Sequence, residues 1–229
     1  MDRMRYESDG RIARIVIDDG KANAMSVPFF AELTQLLDRA EGDGSCALVI
    51  AGRAGMFSGG LDLKLLPTLS REGLRELSET FARTMLRVFT FPLPTVAALT
   101  GHAIAGGAVL AYACDRRYAA DGRFRLQLNE VAIGIPMPSW MAAVGGSAIP
   151  SHLHVAALLH ARAYAPAEAF ANGMVNGLVA EGGDVVAHAM EQCADLAAFP
   201  RDAYATTKRR LRAADIARVT ALLPDELAG

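Results

Sequence analysis

The sequence predicts an α/β fold in which strands and helices alternate to about residue 135, with helices dominating the rest of the chain. Two continuous apolar runs, Ala47–Gly52 and Pro94–Gly101, are typical of strands that are buried on both faces of a sheet. Beyond Pro150 the composition changes to alanine-rich segments, which favour helix. Alternating strands and helices followed by a helical region indicate an α/β architecture with a helical C-terminal part.

The first elements can be taken in chain order. Arg11–Asp18 alternates apolar and polar residues, which predicts a half-buried strand. The loop DDGKANAMS follows, and Ser26 is then predicted as the N-cap of a helix that has Pro28 in its first turn. The apolar stripe of that helix consists of Phe29, Phe30, Leu33, Leu36 and Leu37.

The later elements follow the same reasoning. The pattern predicts an amphipathic helix over Arg71–Phe91 and an apolar helix over Gly106–Cys114. Arg116–Asp121 and Arg123–Leu128 are predicted as two short strands. Alanine-rich helix is expected from His154 through Leu211, interrupted by the glycine-containing segment NGMVNGLVAEGG.

Composition excludes several classes of function. The 229 residues carry a net charge of only −2, so no global field attracts nucleic acid or an anionic membrane. Cys46, Cys114 and Cys193 have no paired metal spacing, and this sparse, odd set favours a reducing compartment. The charged N-terminus lacks a signal-peptide core, and the most apolar run, Leu93–Ala113, is interrupted by proline and glycine. We therefore expect a soluble cytoplasmic protein that has no membrane partner.

Two segments share one design, in which a buried strand leads through a tight glycine turn into a helix or irregular chain. They are FSGGLDL (residues 57–63) and GHAIAGGAVL (residues 101–110). Glycine lets backbone N–H groups approach a ligand, so two such turns could place two donors on one oxygen as an oxyanion hole. Tight packing alone also explains either turn. Phosphate binding is a third interpretation, although neither GxGxxG nor a Walker lysine is present. Composition does not choose among the three.

Four segments taken together resemble the crotonase (enoyl-CoA hydratase/isomerase) superfamily. They are KANAMS, FSGGLDL, GHAIAGGAVLAYACDRRYAA and ARAYAPAEAFANGMVNGLV, and they occur in the family's order. The resemblance implies a crotonase-like spiral of ββα units with a helical C-terminal region. It implies an acyl-CoA-binding core over residues 1–190 and a helical region over 191–229 that could serve oligomerisation, as a homotrimer or a dimer of trimers. Fatty-acid or aromatic-acid breakdown is the corresponding metabolic context.

The resemblance also implies site residues. The backbone N–H groups of Leu61 and Gly106 would form the oxyanion hole for the thioester carbonyl. Two departures from the family pattern are Ala105, in place of the first glycine of a triplet, and Ser58-Gly59, in place of Ser-Ala. The positions that correspond to the acyl-CoA-binding residues are Lys21, Ala22, Ala24, Gly60, Asp62 and Leu63.

The acids decide which reaction of the family is available. Hydration of an enoyl thioester uses two carboxylates, and Val109 occupies the position that corresponds to the first. Glu130 is the only acid between Asp121 and Glu168, and its apolar neighbours predict a raised pKa. Its context, LNEVAIGIP, resembles the single-glutamate Δ3,Δ2-enoyl-CoA isomerases, which implies that Glu130 is the catalytic acid/base. Without the resemblance, a solvated carboxylate at a strand-to-loop edge would be the favoured interpretation of Glu130.

The sequence thus favours an enoyl-CoA isomerase that needs no metal, flavin or nicotinamide, with coenzyme A entering as part of the substrate. Two alternatives stay open. Another single-acid reaction on the same scaffold, thioester hydrolysis or decarboxylation, would use the same residues. An acyl-CoA-binding protein that has lost activity would account for Val109 and Ala105.

Other candidate residues have weaker assignments. His102 is expected to pack rather than react, and His152 and His154 lack a third metal ligand. Trp140 could lie in the core or line the acyl pocket. The basic cluster Lys208–Arg212 is expected to be a solvated helix face, with the CoA phosphates as the alternative partner.

Overall fold

The computed structural model describes residues 3–228. Met1 and Asp2, at the start of the predicted core (1–190), and Gly229, at the end of the predicted helical region (191–229), lie outside it. Its strands form one six-stranded and one three-stranded sheet. The large sheet has the order β1-β2-β3-β5-β7-β9, in which only the β1–β2 pair is antiparallel among the described strands. The strands are β1 Met4–Ser8, β2 Ile12–Ile17, β3 Ala47–Gly52, β4 Gly55–Ser58, β5 Thr95–Leu99, β6 Gly101–Ile104, β7 Arg116–Ala120, β8 Leu126–Gln127 and β9 Gly177–Val179.

The small sheet has the order β4-β6-β8, and all of its pairs are parallel. Successive strands alternate between the sheets, since β3, β5 and β7 enter the large one and β4, β6 and β8 follow in the small one. This is the spiral of ββα units that the family resemblance implied. The helices are α1 Val27–Gly42, α2 Arg71–Phe89, α3 Gly106–Ala113, α4 Ser139–Ala148, α5 Pro166–Ala171, α6 Val185–Leu196, α7 Arg201–Leu211 and α8 Ala213–Ala228.

The centre of the large sheet is buried on both faces, as the apolar runs predicted. Every residue of β3 and β5 is buried. Side chains alternate along β3, so that Leu48 and Ile50 join the main core with α1 and α2, while Val49 joins a second cluster beneath α6. Of the helices within residues 3–228, none is both long and apolar enough to cross a membrane.

Several local predictions were wrong. The alanine-rich helix that was expected to begin at His154 is not continuous. A π-helical turn over Val155–Leu159 is followed by extended chain. There Tyr164 exchanges backbone hydrogen bonds of 2.9 and 3.0 Å with Leu126. Strand β9 occupies the predicted break, and β6 was not predicted. Ser26 is the N-cap of α1, but its side chain makes no capping bond; its Oγ instead accepts a hydrogen bond from Arg3.

Two residues of the basic cluster near the C-terminus, Lys208 and Arg212, depart from the predicted solvated face, whereas Arg209 and Arg210 are exposed as predicted. Lys208 is buried, and its Nζ lies 2.7 Å from Asp115 Oδ2, while Arg212 Nη2 lies 2.8 Å from Asp115 Oδ1. The Asp115 carboxylate also accepts hydrogen bonds from the Thr95 amide and hydroxyl and from the Tyr204 hydroxyl. Lys208 and Arg212 therefore anchor the C-terminal helices to the large sheet, and neither lies on a solvated face.

Residue 190 lies inside α6, which packs on β3, β5 and β7. Helix α8 follows α7 and packs against α4 and α2. The division into a core over 1–190 and an oligomerising region over 191–229 stays a prediction. Through these contacts α8 packs on α2, the helix that follows the first glycine turn, and on α4.

Candidate active site

The two glycine turns contact one another. They follow β4 and β6, which pair in parallel. Gly60 has φ of +83°, and a Cβ at that position would lie 2.8 Å from the Gly106 nitrogen and 2.9 Å from the Ala105 Cβ. A side chain at residue 60 would therefore both strain the backbone and separate the turns. The glycine is required by this close approach.

Two backbone donors are unpaired at the junction. Within residues 3–228, neither the Leu61 N–H nor the Gly106 N–H has a hydrogen-bond acceptor. The amides beside Leu61 are engaged, since Gly60 donates to Ser58 Oγ at 3.1 Å and Asp62 donates to the Met25 carbonyl at 3.0 Å. Leu61 and Gly106 both line one cavity, and Gly106 is the first residue of α3. Unpaired donors at a helix N-terminus favour a negatively charged oxygen.

A buried asparagine holds the KANAMS loop against these turns. The Asn23 side-chain amide donates to the carbonyls of Ile17, Met56 and Phe57 at 2.9 to 3.1 Å, and its Oδ1 accepts from the Asp19 N–H. Asn23 is fully buried and has φ of +50°. Asn23 was not among the predicted site residues. An asparagine two residues after DDGK favours a turn, but its two distant acceptors, Met56 and Phe57, come only from the fold.

The loop meets the first glycine turn along its length. Gly59 N–H donates to the Ala22 carbonyl at 2.9 Å, and Met25 N–H donates to the Gly60 carbonyl at 2.8 Å. Ser58 Oγ donates to the Asn23 carbonyl at 2.8 Å, so the hydroxyl supports the turn. The structure thereby brings together the two segments from which acyl-CoA-binding residues were predicted.

The six predicted acyl-CoA-binding positions surround this junction, and their binding role stays a prediction. Lys21 is exposed, and its carbonyl accepts a hydrogen bond from Arg53 Nε. Asp62 Oδ1 accepts a hydrogen bond from the Lys64 N–H at 3.0 Å, which caps the turn that follows. Leu63 is exposed and lines the cavity. The other three positions, Ala22, Ala24 and Gly60, lie in the paired loop and turn.

The cavity has a volume of about 260 Å³ and is mostly apolar. Segments 65–77 and 137–143 both contribute to its wall. Trp140 is a core residue that packs edge-on against Phe81 at 4.8 Å between ring centroids, and it also lines the cavity. Its contact with an acyl group stays a prediction. The last helix, α8, contributes residues that sequence reasoning did not find, because only the fold brings them here. The principal lining residues are Leu61, Leu66, Leu74, Leu77, Phe81, Gly106, Glu130, Trp140, Met141, Leu223 and Leu227.

Glu130 is the buried acid of this cavity. It directly precedes a 3₁₀ turn over Val131–Ile133, which places it at the cavity wall. Only 4% of its surface is exposed, and its Oε2 has no hydrogen-bond partner among the described residues. Burial raises the pKa of this carboxyl above the ordinary glutamate value. The prediction of an apolar setting and a raised pKa is thus confirmed, and the solvated-edge alternative is wrong.

The raised pKa has a consequence for stability. The pKa of this carboxyl is higher in the folded protein than in the unfolded chain. Its contribution to the free energy of unfolding is therefore fully present below the unfolded pKa and is lost as the pH rises through the folded pKa. Glutamine does not titrate. We therefore expect Glu130→Gln to unfold at a higher urea concentration than wild type at pH 8, with the difference shrinking as the pH falls toward the ordinary glutamate range. Urea unfolding across this pH series is the measurement, and a constant difference would contradict it.

The structure places Val109 and Ala105, two positions at which this chain differs from the family's hydratases or glycine triplet. Val109 is 1% exposed and packs within the main core. It supplies no group that could accept a proton. Ala105 precedes α3 with φ of 50° and ψ of −123°, a conformation that favours glycine. Its N–H donates to the Gln127 carbonyl at 2.8 Å, so β8 helps to hold the strained residue in place.

Ala105→Gly is expected to stabilise the protein by about 1 kcal/mol. Relief of strain of about 1–3 kcal/mol outweighs the added entropy of the unfolded chain, about 0.4–1 kcal/mol. The matched control is Ala221→Gly, at an exposed position of α8, which should destabilise by about 1 kcal/mol. Thermal unfolding of both variants gives the comparison, and equal losses of stability would refute the assignment of strain to residue 105.

His102 and His154 make hydrogen bonds away from the cavity. His102 Nδ1 accepts a hydrogen bond from the Arg125 N–H, and the ring packs edge-on against Phe124. His154 Nε2 lies 2.9 Å from the Ile149 carbonyl. Within the part of the chain that the structure describes, no group of three or more His, Cys, Asp or Glu side chains could hold a metal ion.

Comparison with known proteins agrees with this geometry. The family model described as enoyl-CoA hydratase/isomerase matches residues 7–223. The chain therefore belongs to the enoyl-CoA hydratase/isomerase family, whose members act on acyl-CoA thioesters.

Individual relatives carry both names of the family. The chain is 37% identical over 182 residues to a putative enoyl-CoA hydratase of Thermus thermophilus, covering 76% of this chain and 70% of that protein. It is 32% identical over 200 residues to human mitochondrial enoyl-CoA delta isomerase 1, covering 86% of this chain and 66% of the relative. The crystal structure of human mitochondrial Δ3-Δ2-enoyl-CoA isomerase superposes with a TM-score of 0.94 at 28% identity, over 99% of this chain and 89% of that one.

Proposed function

We propose that this protein is a Δ3,Δ2-enoyl-CoA isomerase in which Glu130 is the single acid/base. The carboxylate takes a proton from C2 of a 3-enoyl thioester and returns a proton to C4. The electron pair left at C2 delocalises onto the thioester oxygen, giving a dienolate. On collapse, the double bond forms between C2 and C3 while C4 is protonated, so atoms and charge balance.

The observation that carries the proposal is the unpaired carboxyl oxygen of buried Glu130 in a cavity that is also lined by Leu61 and Gly106. The two free amides would donate to the thioester oxygen as charge develops there. Loss of one such donor typically lowers kcat by about 10²–10³-fold. Burial raises the pKa of Glu130, which makes its carboxylate a stronger base than an exposed glutamate.

Hydration is less well supported because it needs a second acid to position water. Val109 is an apolar core residue. Glu226 is a second carboxyl at the cavity, but its Oε1 accepts a hydrogen bond from the Ser139 N–H at 2.9 Å. This contact suits a role in fastening α8 rather than in proton transfer.

The reaction as proposed uses no metal or redox cofactor, and coenzyme A enters only with the substrate. The predicted acyl-CoA positions lie in the loop and turn around Asn23 and Gly60, which supports binding of the thioester next to the free amides. Assembly as a homotrimer or a dimer of trimers is part of the proposal, and light scattering of the purified protein would measure it.

The testing experiment is an ultraviolet assay of the purified protein with 3-enoyl-CoA, following formation of the conjugated 2-enoyl thioester. Free CoA and 3-hydroxyacyl-CoA are measured in the same samples. Conjugation without either by-product would support isomerisation. Release of CoA would indicate a thioesterase, and formation of the hydroxyacyl thioester would indicate a hydratase. Thioester binding with no turnover would indicate a binding protein.

A further inference from the structure

Helix α8 closes one side of the active-site cavity. Leu223, Glu226 and Leu227 from this helix all line it. The Glu226 carboxylate accepts the hydrogen bond from Ser139, the first residue of α4, where the positive end of the helix dipole favours an anion. This bond joins residues 87 positions apart in sequence. It fastens the last turn of α8 beside the cavity.

A second groove lies between α2 and α8. Leu223 and Leu227 line this groove as well as the cavity, so their side chains form a partition between the two spaces. The groove has a different character, because Arg75, Glu79 and Arg83 lie along it. On the cavity side of the partition the wall is mostly apolar, and its polar groups include Glu130 and Glu226.

We propose that Leu223 and Leu227 set the maximum acyl-chain length of the substrate, which restricts the enzyme to short- and medium-chain 3-enoyl thioesters. This inference rests on the proposed function, since it assigns the acyl group to this cavity. At about 260 Å³ the cavity is smaller than the range of about 300–1,000 Å³ that is usual for drug-sized ligands.

The physical reason is a change of environment at the partition. Each methylene that moves from water into the apolar cavity strengthens binding by about fourfold. A chain too long for the cavity has to displace the two leucines. Beyond them it would lie beside charged, hydrated side chains and would gain little. Reactivity should therefore rise with each added carbon to a limit and then fall.

The test compares kcat/KM for 3-enoyl-CoA substrates of six to sixteen carbons between wild type, Leu223→Ala, Leu227→Ala and the double variant. We expect the best substrate of the double variant to be at least two carbons longer than that of wild type. Leu222→Ala is the matched control, because Leu222 lies on α8 but lines neither space. Its length profile should equal that of wild type.

Leu227→Phe is the control for an effect that comes only from weaker packing of α8. A larger side chain at this position should move the best substrate to shorter chains. Unchanged length profiles in both the alanine and the phenylalanine variants would overturn the inference. Calorimetric binding of saturated acyl-CoA thioesters separates this inference from the proposed function. If the preferred length in binding shifts as expected but no variant isomerises substrate, the partition stands and the isomerase proposal fails. Binding that is independent of chain length would overturn the partition itself.

Discussion

Replacing Glu130 with glutamine is expected to lower kcat for isomerisation of 3-enoyl-CoA by about 100- to 10,000-fold, the usual contribution of a positioned acid–base group. Glutamine keeps the size and polarity of the side chain but cannot take up the C2 proton. Binding of the thioester should change little, because the cavity wall and the free amides of Leu61 and Gly106 are unaltered. The ultraviolet assay measures the rate, and calorimetry measures binding.

The control for this variant is Glu191→Gln, an exposed glutamate on α6, on the other side of the large sheet. Its activity should match wild type. The wild-type rate should also fall as the pH drops through the raised pKa of Glu130, since protonation removes the base. Full activity of Glu130→Gln would exclude Glu130 as the acid/base.

Replacing Asp115 with alanine should lower the free energy of unfolding by about 3–5 kcal/mol, the usual result of removing one member of a buried ion pair. The change would leave buried Lys208 and partly buried Arg212 without their carboxylate, and the Thr95 amide without its acceptor. Burial already lowers the pKa of the Lys208 ammonium, so this cation depends on its partner.

Urea unfolding of Asp115→Ala measures the loss. Asp215→Ala provides the comparison, because its ion pair with Arg218 spans 3.5 Å on an exposed face of α8 and should contribute less than about 1 kcal/mol. Similar unfolding of the two variants would contradict the anchoring role of Asp115. Limited proteolysis should also show earlier cleavage around α7 in Asp115→Ala than in wild type.

Features that depend on residues close together in the sequence were predictable, and features that depend on residues far apart in the sequence were not. Ala47–Gly52 was predictable because a fully buried parallel strand is apolar at every position, which is a local property. The family resemblance identified Glu130, and its apolar neighbours predicted the raised pKa. In contrast, GHAI looked like part of a turn, because β6 becomes a strand only by pairing with β4 and β8.

Long-range polar partners explain the remaining errors. Lys208 was assigned to a solvated face since nothing nearby in sequence indicates Asp115, which is 93 residues away. Asn23 gave only a turn signal, whereas two of its acceptors belong to β4. The role of α8 at the cavity depends on contacts with α2 and α4, which no periodicity encodes.

The most direct test of the central claim is to follow a deuterium label from C2 of 3-enoyl-CoA through the reaction in ordinary water. If one buried carboxyl removes the C2 proton and returns it to C4, part of the label should appear at C4 of the product, and mass spectrometry with NMR would locate it. The low exposure of Glu130, 4%, should slow exchange with solvent enough for this transfer to be seen. Absence of label from C4 at every substrate conversion, with C4 protonated only from solvent, would contradict the single-carboxyl account.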